Sequence, residues 1–271
     1  MLPADCQCFL INLDRSPDRL AAMLPRLQAQ GIAFERIPGV DGMALSEDEF
    51  REQTRENHYY KPIRRGEVGC QLSHLKALQR FLASDARYAL VLEDDAEFDA
   101  DFSDVLAEAL ALRARTTDPL LQWDVLKLNR KRRRHIDLAA LGTQRRLVEY
   151  GLSVPSTTTA AVWTRAGAER WVRAYRGTAR PIDCDLQHPW EFGLDILSVH
   201  PPVVSAEDVA SAMGSSDRVT RNPWPKLRYE LNRVWPRLRH FSQRYGWGVL
   251  VAWLGRRRID YAGRVSGEGA R

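Results

Sequence analysis

The stretch Tyr88-Ala-Leu-Val-Leu-Glu-Asp-Asp95 decides the fold, because it runs a compact apolar segment directly into three consecutive carboxylic acids. The apolar part predicts a buried strand. In α/β proteins, ligands bind where the carboxyl ends of such strands open onto a crevice. The stretch therefore predicts an α/β sheet with a ligand site at the end of this strand.

The segments on either side of this strand alternate between strand and helix signals. Residues 8–13 predict a buried first strand, after which Ser16 and Pro17 are placed to begin a helix that Gly31 can end. Residues 32–40 predict a second strand, which completes the order of a nucleotide-binding α/β unit. The other main predictions are helices over residues 66–82 and 101–115, a strand over residues 123–128, and a helix capped by Thr164.

The composition is that of an enzyme-sized globular protein, with 271 residues, 44% hydrophobic and 28% charged, and it excludes disordered and fibrous classes. The four cysteines lack paired C-x-x-C spacing, which predicts reduced thiols rather than a zinc site or disulfides. The first residues do not resemble a secretory signal, and the apolar run 246–255 is about half of the ~20 residues that a spanning helix needs. We therefore expect a cytoplasmic protein.

The run Glu93-Asp94-Asp95 indicates a metal site. Three adjacent carboxylates repel one another, and keeping them ionised in a partly desolvated cleft is costly without a cation. Mg²⁺ or Mn²⁺ prefers such oxygen ligands, usually together with substrate phosphates. The alternative is a solvated turn that caps the next helix.

Three ordered motifs together resemble glycosyltransferase family 25: Ile11-Asn-Leu-Asp-Arg-Ser-Pro-Asp-Arg19, Gly66-Glu-Val-Gly-Cys-Gln-Leu-Ser-His74 and Leu90-Val-Leu-Glu-Asp-Asp95. That family includes bacterial lipopolysaccharide galactosyltransferases and collagen galactosyltransferases, and the resemblance covers residues 8–204. It implies a GT-A-like α/β fold with a mixed, mainly parallel central sheet. It also implies a UDP-sugar donor, commonly UDP-galactose, and Mn²⁺-dependent transfer with inversion.

The resemblance also implies roles for the acidic residues and for the first motif. Asp95 stands where the family has a metal ligand, and Glu93 and Asp94 are expected to share the metal and ribose contacts. The residues where the first strand meets its helix are expected to reach the uridine, ribose or phosphate of the donor, and these are Asn12, Asp14, Arg15 and Arg19. The alternative for the two arginines is that they are surface charges.

The second motif lies at the start of a predicted helix. Gly66 and Gly69 allow close approach of a ligand to backbone N–H groups, and Ser73 lies one turn further on. His74 is expected to contact the donor or the acceptor. The alternative for a helical histidine is a buried structural role.

Residues 181–191 resemble the acidic segment that follows in the family and supply candidates for the general base. In an extended segment Asp183 and Asp185 share a face, and we favour Asp185 as the base; either could instead hold the metal or an acceptor hydroxyl. His188 and His200 are further candidate metal ligands. Trp190 is a candidate for stacking on a sugar, with core packing as the alternative.

The C-terminal tail is basic and aromatic: residues 218–258 contain ten Arg and one Lys against a single Glu. This composition favours an anionic membrane surface and hence a lipid-linked acceptor at the inner face of the membrane. Nucleic-acid binding and a plain solvated helix are the competing interpretations. We therefore divide the chain into a catalytic domain, residues 1–214, and a basic helical tail, residues 215–271.

These observations predict a metal-dependent transferase that moves galactose from UDP-galactose onto a saccharide, such as a lipopolysaccharide. UDP-glucose and UDP-N-acetylhexosamine are alternative donors. The first rival function is a glycosidase that uses Asp94 and Asp185 as acid and base. The second is a non-catalytic membrane or nucleic-acid adaptor on the same fold.

Overall fold

The structure is a computed structural model that describes residues 2–129, 135–152, 154, 156–206 and 223–255, with backbone segments 258–259 and 265–266. The strands are β1 (Cys6–Asn12), β2 (Phe34–Pro38), β3 (Tyr88–Glu93), β4 (Ala96–Phe98), β5 (Val125–Lys127), β6 (Ile136–Leu141), β7 (Arg145–Glu149), β8 (Ala160–Thr164), β9 (Ile196–His200), β10 (Val204–Ala206), β11 (Arg258–Ile259) and β12 (Val265–Ser266). The helices are α1 (Pro17–Ala29), α2 (Glu47–Gln53), α3 (Arg65–Leu82), α4 (Phe102–Arg115), α5 (Arg165–Ala174), α6 (Ile182–Asp185), α7 (Pro189–Phe192), α8 (Trp224–Tyr245) and α9 (Trp247–Leu254).

Eight strands form one sheet in the order β2-β1-β3-β8-β5-β9-β7-β6. The pairings β1 with β2, β1 with β3 and β5 with β9 are parallel. Because the other four pairings are antiparallel and involve β8 or β7, six of the eight strands point in one direction. The predicted fold class, a mixed and mainly parallel α/β sheet with a helical C-terminal region, is confirmed.

The two faces of the sheet carry separate hydrophobic cores. Along β1, Cys8 and Leu10 pack into one core, whereas Phe9 and Ile11 pack into the other, as the alternation of a strand requires. All these side chains are buried, which explains why the run is apolar without interruption. The four cysteine thiols are free, as predicted.

The predicted helices over residues 66–82 and 101–115 are confirmed as α3 and α4, each to within one residue at its start. Thr164 caps α5 as expected, because its side-chain oxygen accepts a hydrogen bond from the Gly167 amide. The sequence interpretation missed the hairpin of β6 and β7. Its short strands follow a basic segment and lack a clean alternation, so periodicity did not reveal them.

Helices α8 and α9 contribute to the hydrophobic core that contains Cys8 and Leu10. Phe241, Leu250 and Trp253 are buried there together with residues of the central sheet. The predicted boundary between residues 214 and 215 lies outside the described residues, and the division into two domains stays a prediction. Among the described helices, none combines the length and the hydrophobicity needed to cross a bilayer.

Candidate active site

The three predicted acidic residues lie at the carboxyl end of β3, beside the carboxyl end of β1. They border a cleft of about 270 Å³, which we call the acidic cleft. Its other walls are the start of α1, the turn after β2 and the N-terminal turn of α3. Strand ends and a helix N-terminus therefore meet at one place, which is the arrangement that phosphate ligands favour.

Glu93 is held by two side chains from other parts of the chain. His74 on α3 places Nε2 3.0 Å from one Glu93 carboxylate oxygen, and the Thr158 hydroxyl donates to the same oxygen at 2.6 Å. Burial alone would raise the pKa of Glu93, but the hydrogen bonds and the charge of His74 outweigh it and lower this pKa. Glu93 is therefore kept ionised inside the protein.

Asp94 is anchored to β1 and α1. The Asn12 amide donates to it at 2.6 Å, and the Arg19 guanidinium lies 2.5 Å from its second oxygen. Asn12 also donates to the Ser16 carbonyl and accepts from Arg36, and it is 1% exposed. The structure thus gives Asn12 the role of orienting Asp94. Its amide already makes several hydrogen bonds and has little capacity left to bind the sugar nucleotide.

Asp95 is the least satisfied of the three acids. Its Oδ1 is buried without a hydrogen-bond partner among the described residues, and its nearest cation is Arg19 at 3.6 Å. Burial, together with the charge of Glu93, raises the pKa of Asp95 to about 6. A buried carboxylate oxygen without a hydrogen-bond donor is a suitable ligand for a divalent cation, because the ion would supply the missing positive charge.

A second group of potential ligands lies beside the first. Single ligand atoms of Cys70, His74 and Glu93 lie within 4.8 Å of one another. Burial raises the pKa of the Cys70 thiol well above its ordinary value, and His74 is already committed to Glu93. Asp95 with Glu93 is therefore the better donor set for Mg²⁺ or Mn²⁺, which prefer oxygen ligands.

The residues predicted to bind the donor fall into two groups. Arg15 and Arg19 line the acidic cleft, where Arg15 pairs with Asp41 at 2.8 Å. Asp14 has a side chain that is 75% exposed, and it pairs with Arg36 outside the lining of the cleft. The structure therefore does not bring Asp14 to the site, although it follows the same strand.

Gly69 and Ser73 of the second motif hold α3 against the turn after β2, and of the two only Ser73 is among the described residues that line the acidic cleft. A Cβ on Gly69 would lie 2.6 Å from both the Gly42 nitrogen and the Val40 carbonyl oxygen, so the helix touches the turn after β2 there. Ser73 accepts from the Val40 amide at 2.8 Å and donates to the Gly69 carbonyl. We expected Gly69 to let a ligand approach the backbone of the helix. Instead, its missing side chain lets the backbone of Val40 and Gly42 pack against the helix.

Asp183 and Asp185 lie in the short helix α6, so the expectation of an extended segment was wrong. Residues two apart in a helix do not share a face. Asp185 is buried and paired with Arg180 at 3.0 Å, whereas Asp183 accepts from the Cys184 amide and feels the charges of Lys127 and Glu93. Neither residue lines the acidic cleft, but Asp183 interacts electrostatically with Glu93 and with Cys70 of its lining, which favours Asp183 over Asp185.

Burial raises the pKa of both residues. That of Asp185 rises to about 6, because burial outweighs the charge of Arg180. That of Asp183 is also raised by burial, against the opposing effect of the Cys184 amide and Lys127. A carboxyl with a raised pKa accepts a proton more readily, which suits a general base.

Two site residues were missed in the sequence. Thr158 binds Glu93 and follows a polar stretch without periodicity, so no signal pointed to it. Lys127 is fully buried in β5 and acts on Asp183 electrostatically. A lysine inside the apolar run Val-Leu-Lys-Leu was a usable signal, because buried lysines are rare unless they serve a charged partner.

The remaining candidates lie outside the lining of the acidic cleft. His188 donates its Nδ1 hydrogen to the Cys184 carbonyl, and burial together with Arg180 lowers its pKa to about 3. His200 lies beside Tyr150, with 3.2 Å between its Nδ1 and the phenolic oxygen. Trp190 packs on His188 with ring centroids 5.1 Å apart. The structure does not bring these residues to the carboxylates of β3.

Comparison with known proteins finds a match to one family model. The model described as glycosyltransferase family 25 (LPS biosynthesis protein) matches residues 6–145. Human procollagen galactosyltransferase 2 is 31% identical over 133 residues, which are 46% of this chain and 21% of that protein. The human inactive glycosyltransferase 25 family member 3 is 28% identical over 246 residues, covering 80% of this chain and 40% of that protein.

These relatives are much longer than the chain, which spans about a fifth to two fifths of their length. Among solved structures, a mutant Drosophila β-1,4-galactosyltransferase 7 in complex with manganese, UDP-Gal and xylobiose is similar at a TM-score of 0.32 and 12% identity. That match covers 82% of this chain and 73% of the other. A likeness at this level carries no argument about the chain.

Proposed function

The chain belongs to glycosyltransferase family 25, and from that premise we propose that it transfers galactose from UDP-galactose to a saccharide acceptor. The observation that carries the proposal is the Asp95 oxygen that is buried without a hydrogen-bond partner among the described residues, in a cleft lined by arginines. Such a carboxylate needs a cation, and a nucleotide diphosphate needs both the cation and the arginines. The relative that acts as a procollagen galactosyltransferase supports galactose as the sugar.

Asp95 and Glu93 would hold Mn²⁺ or Mg²⁺, which when bound neutralises negative charge on the leaving diphosphate. His74 and Thr158 keep Glu93 ionised and fixed in position, so that this ligand needs no rearrangement. Arg19 contacts two of the acids, and Arg15 lies beside it; both offer guanidinium donors for phosphate oxygens.

Asp183 is our proposed general base for the acceptor hydroxyl, in place of Asp185. An inverting transfer needs a group that removes this proton while the oxygen attacks the anomeric carbon from the face opposite the leaving group. Asp183 is free of the ion pair that holds Asp185, and Lys127 limits how far its pKa rises. Inversion itself rests on the family resemblance.

A donor-hydrolysis assay tests this function without knowledge of the acceptor. UDP release is measured with UDP-galactose, UDP-glucose and their N-acetyl forms, in Mn²⁺ or in EDTA, for the wild type and Asp95→Asn. We expect metal-dependent release from UDP-galactose that falls by about 10³-fold in the variant. Asp14→Asn, which changes an exposed aspartate outside the cleft, is the matched control and should retain activity.

Other outcomes of this assay favour the rival functions. Cleavage of simple glycosides without UDP-sugar or metal would favour a glycosidase. Binding of UDP-galactose without turnover in any metal would favour the non-catalytic adaptor, and the inactive family member among the relatives makes that outcome realistic. Release from UDP-glucose alone would overturn the choice of galactose but keep the transferase.

We also propose that the protein is cytoplasmic and binds the inner face of the membrane, where a lipid-linked saccharide such as a lipopolysaccharide core would be the acceptor. Along α8, Leu227, Leu231, Val234 and Trp235 are exposed on one helical face. Lys226 and Arg239 are exposed on the same helix, and an apolar face with basic neighbours suits an anionic membrane surface.

Sedimentation with anionic phosphatidylglycerol vesicles tests this second proposal. Removing the tail is unsuitable because Phe241 and Trp253 belong to the core, so the test uses Leu231→Ser with Trp235→Ser. The double variant should lose most of its vesicle binding, whereas Leu24→Ser, an exposed leucine on α1, should not. Unchanged sedimentation of the double variant, or tighter binding to an RNA oligonucleotide, would contradict the membrane assignment.

A further inference from the structure

A second and larger cavity lies beside α8. It has a volume of about 840 Å³ and opens between α8, the turn at residues 57–60 and the segment 180–191, and we call it the aromatic groove. Its lining includes Tyr60, Trp190, Trp224 and Tyr229. None of these residues borders the acidic cleft, so the groove is a separate site.

The aromatic rings of the groove form a continuous wall. Tyr60 lies 4.5 Å from Tyr59 and 5.4 Å from Tyr229, measured between ring centroids. His188 joins Tyr229 to Trp190, with centroids 5.8 Å and 5.1 Å away. Rings with an apolar face and a polar edge suit a sugar, which has an apolar C–H face and hydroxyl groups around it.

Arginines supply the positive charge of the groove. Arg180 and Arg233 are each 6% exposed, and the Nε of each is buried without a hydrogen-bond partner among the described residues. Arg228 is exposed at the rim, and Glu191 is the acidic residue in the lining. Arg180 pairs with Asp185 and Glu191, and Arg233 pairs with Glu230, so Arg228 supplies the exposed positive charge that favours an anionic ligand. The buried Nε–H groups of Arg180 and Arg233, which lack an acceptor among the described residues, offer further donors to its oxygens.

The groove borders the proposed catalytic machinery. The side chains of Tyr59 and Cys184 influence each other's pKa, which places them close together, and Cys184 follows Asp183 in α6. A chain of sugars lying on the aromatic wall would therefore pass close to the proposed base.

We propose that the aromatic groove binds an anionic saccharide, carrying carboxylate or phosphate groups, as the acceptor, an assignment that rests on the proposed glycosyltransferase function. The rings hold the sugars and the arginines hold the acidic substituents. The groove thereby selects the acceptor, while the acidic cleft handles the donor.

Calorimetric titration of the full chain with tetragalacturonate, a tetrasaccharide with four carboxylates, tests the proposal. Two control ligands separate the contributions: maltotetraose has four sugar rings and no charge, and tripolyphosphate has negative charge and no sugar rings. We expect tetragalacturonate to bind more tightly than either probe. Comparable binding of tripolyphosphate that Arg228→Glu weakens to the same extent would show general attraction to the charge of the groove and would overturn the proposal.

Two matched pairs of variants on α8 locate the binding. Trp224→Ala and Arg228→Glu change exposed residues in the groove, and Trp235→Ala and Arg239→Glu change exposed residues of the same types outside it. The groove variants should each weaken tetragalacturonate binding by about three- to tenfold, and the controls by less than about twofold. Equal losses in both members of a pair would overturn the assignment.

Hydrolysis of UDP-galactose by water, measured on the same variants, separates this proposal from the function on which it rests. Trp224→Ala and Arg228→Glu should leave hydrolysis unchanged, because they lie outside the acidic cleft. If the wild type binds tetragalacturonate in the groove but never hydrolyses a UDP-sugar, the transferase proposal fails and the saccharide site stands. If hydrolysis occurs and no anionic saccharide binds, the groove proposal alone fails.

Discussion

The acidic cleft and the aromatic groove differ in how the chain builds them. The cleft collects residues at the ends of adjacent strands, so that Glu93, Asp94 and Asp95 arrive together from one short motif. The groove combines Tyr60 with Tyr229, which are far apart in the chain and meet only because α8 docks on the body. A site at strand ends is encoded locally, whereas a site beneath a docked helix depends on packing.

The largest effect that sharpens this comparison concerns Asp183, the proposed base, which lies outside the lining of both regions. Asp183→Asn should lower transfer of galactose by about 10²- to 10⁴-fold, because an amide cannot accept the proton. Its melting temperature should stay near that of the wild type, since Asp183 forms no ion pair within the part of the chain that the structure describes. The comparison of initial rates with those of Asp185→Asn identifies the base: a larger loss in the Asp185 variant would contradict the assignment.

A second prediction concerns how α8 attaches to the sheet. Burial raises the pKa of Glu149 from 4.5 to about 7, although Arg244 opposes the shift and Tyr245 donates a hydrogen bond. The folded protein then holds a proton that the unfolded chain has lost, so Glu149 lowers stability as pH rises from 4.5 to 7. The difference amounts to about 3 kcal/mol above that window.

Glu149→Gln removes this dependence. The variant should be more stable than the wild type at pH 8 and equally stable at pH 4.5, as measured by urea unfolding. Glu56→Gln, which changes an exposed acid, is the control and should follow the wild type at both pH values. A wild type that gains stability between pH 5 and 8 relative to Glu149→Gln would reverse the predicted sign.

A third prediction tests whether Asp185 of α6 stabilises the fold rather than taking part in the reaction. Asp185→Asn weakens the ion pair with the buried Arg180, which keeps Glu191 as a partner. We expect a loss of about 2 kcal/mol in the free energy of unfolding, because a buried guanidinium loses one charged acceptor. Thermal unfolding checks this value, and a stability equal to that of Asp183→Asn would contradict it.

The smallest expected effect lies in the cleft. His74→Gln should weaken Mn²⁺ binding by about tenfold, since His74 holds Glu93 in position and lowers its pKa, and Glu93 would be the ligand. Binding is followed by the loss of the electron paramagnetic resonance signal of free Mn²⁺, in the absence of sugar nucleotide. His58→Gln, an exposed histidine outside the cleft, should bind Mn²⁺ as the wild type does. Equal affinities in all three proteins would contradict the role of His74 in positioning Glu93 for the metal.

Prediction from sequence worked best where a local rule applied. The strand Tyr88–Glu93 and the helix Arg65–Leu82 were foreseen because their apolar residues repeat with the period of the element. Asp14 was misplaced because adjacency to a strand end does not say which way a side chain points. Gly69 was assigned to a ligand because its contact with Gly42 joins segments that no periodicity relates.

The sequence by itself determined the alternation of strands and helices, the acidic cluster at the end of β3 and the order of motifs that indicates the family. These features depend on neighbours within a few residues, where hydrogen-bonding geometry and side-chain period act directly. Only the tertiary structure decided that Asp185 is locked by Arg180 while Asp183 is not, and that α8 closes an aromatic groove. Both outcomes depend on packing between distant segments. Burial and the neighbouring charged or hydrogen-bonding groups set the pKa of a carboxylate, and the docking of a helix decides which aromatic rings come together.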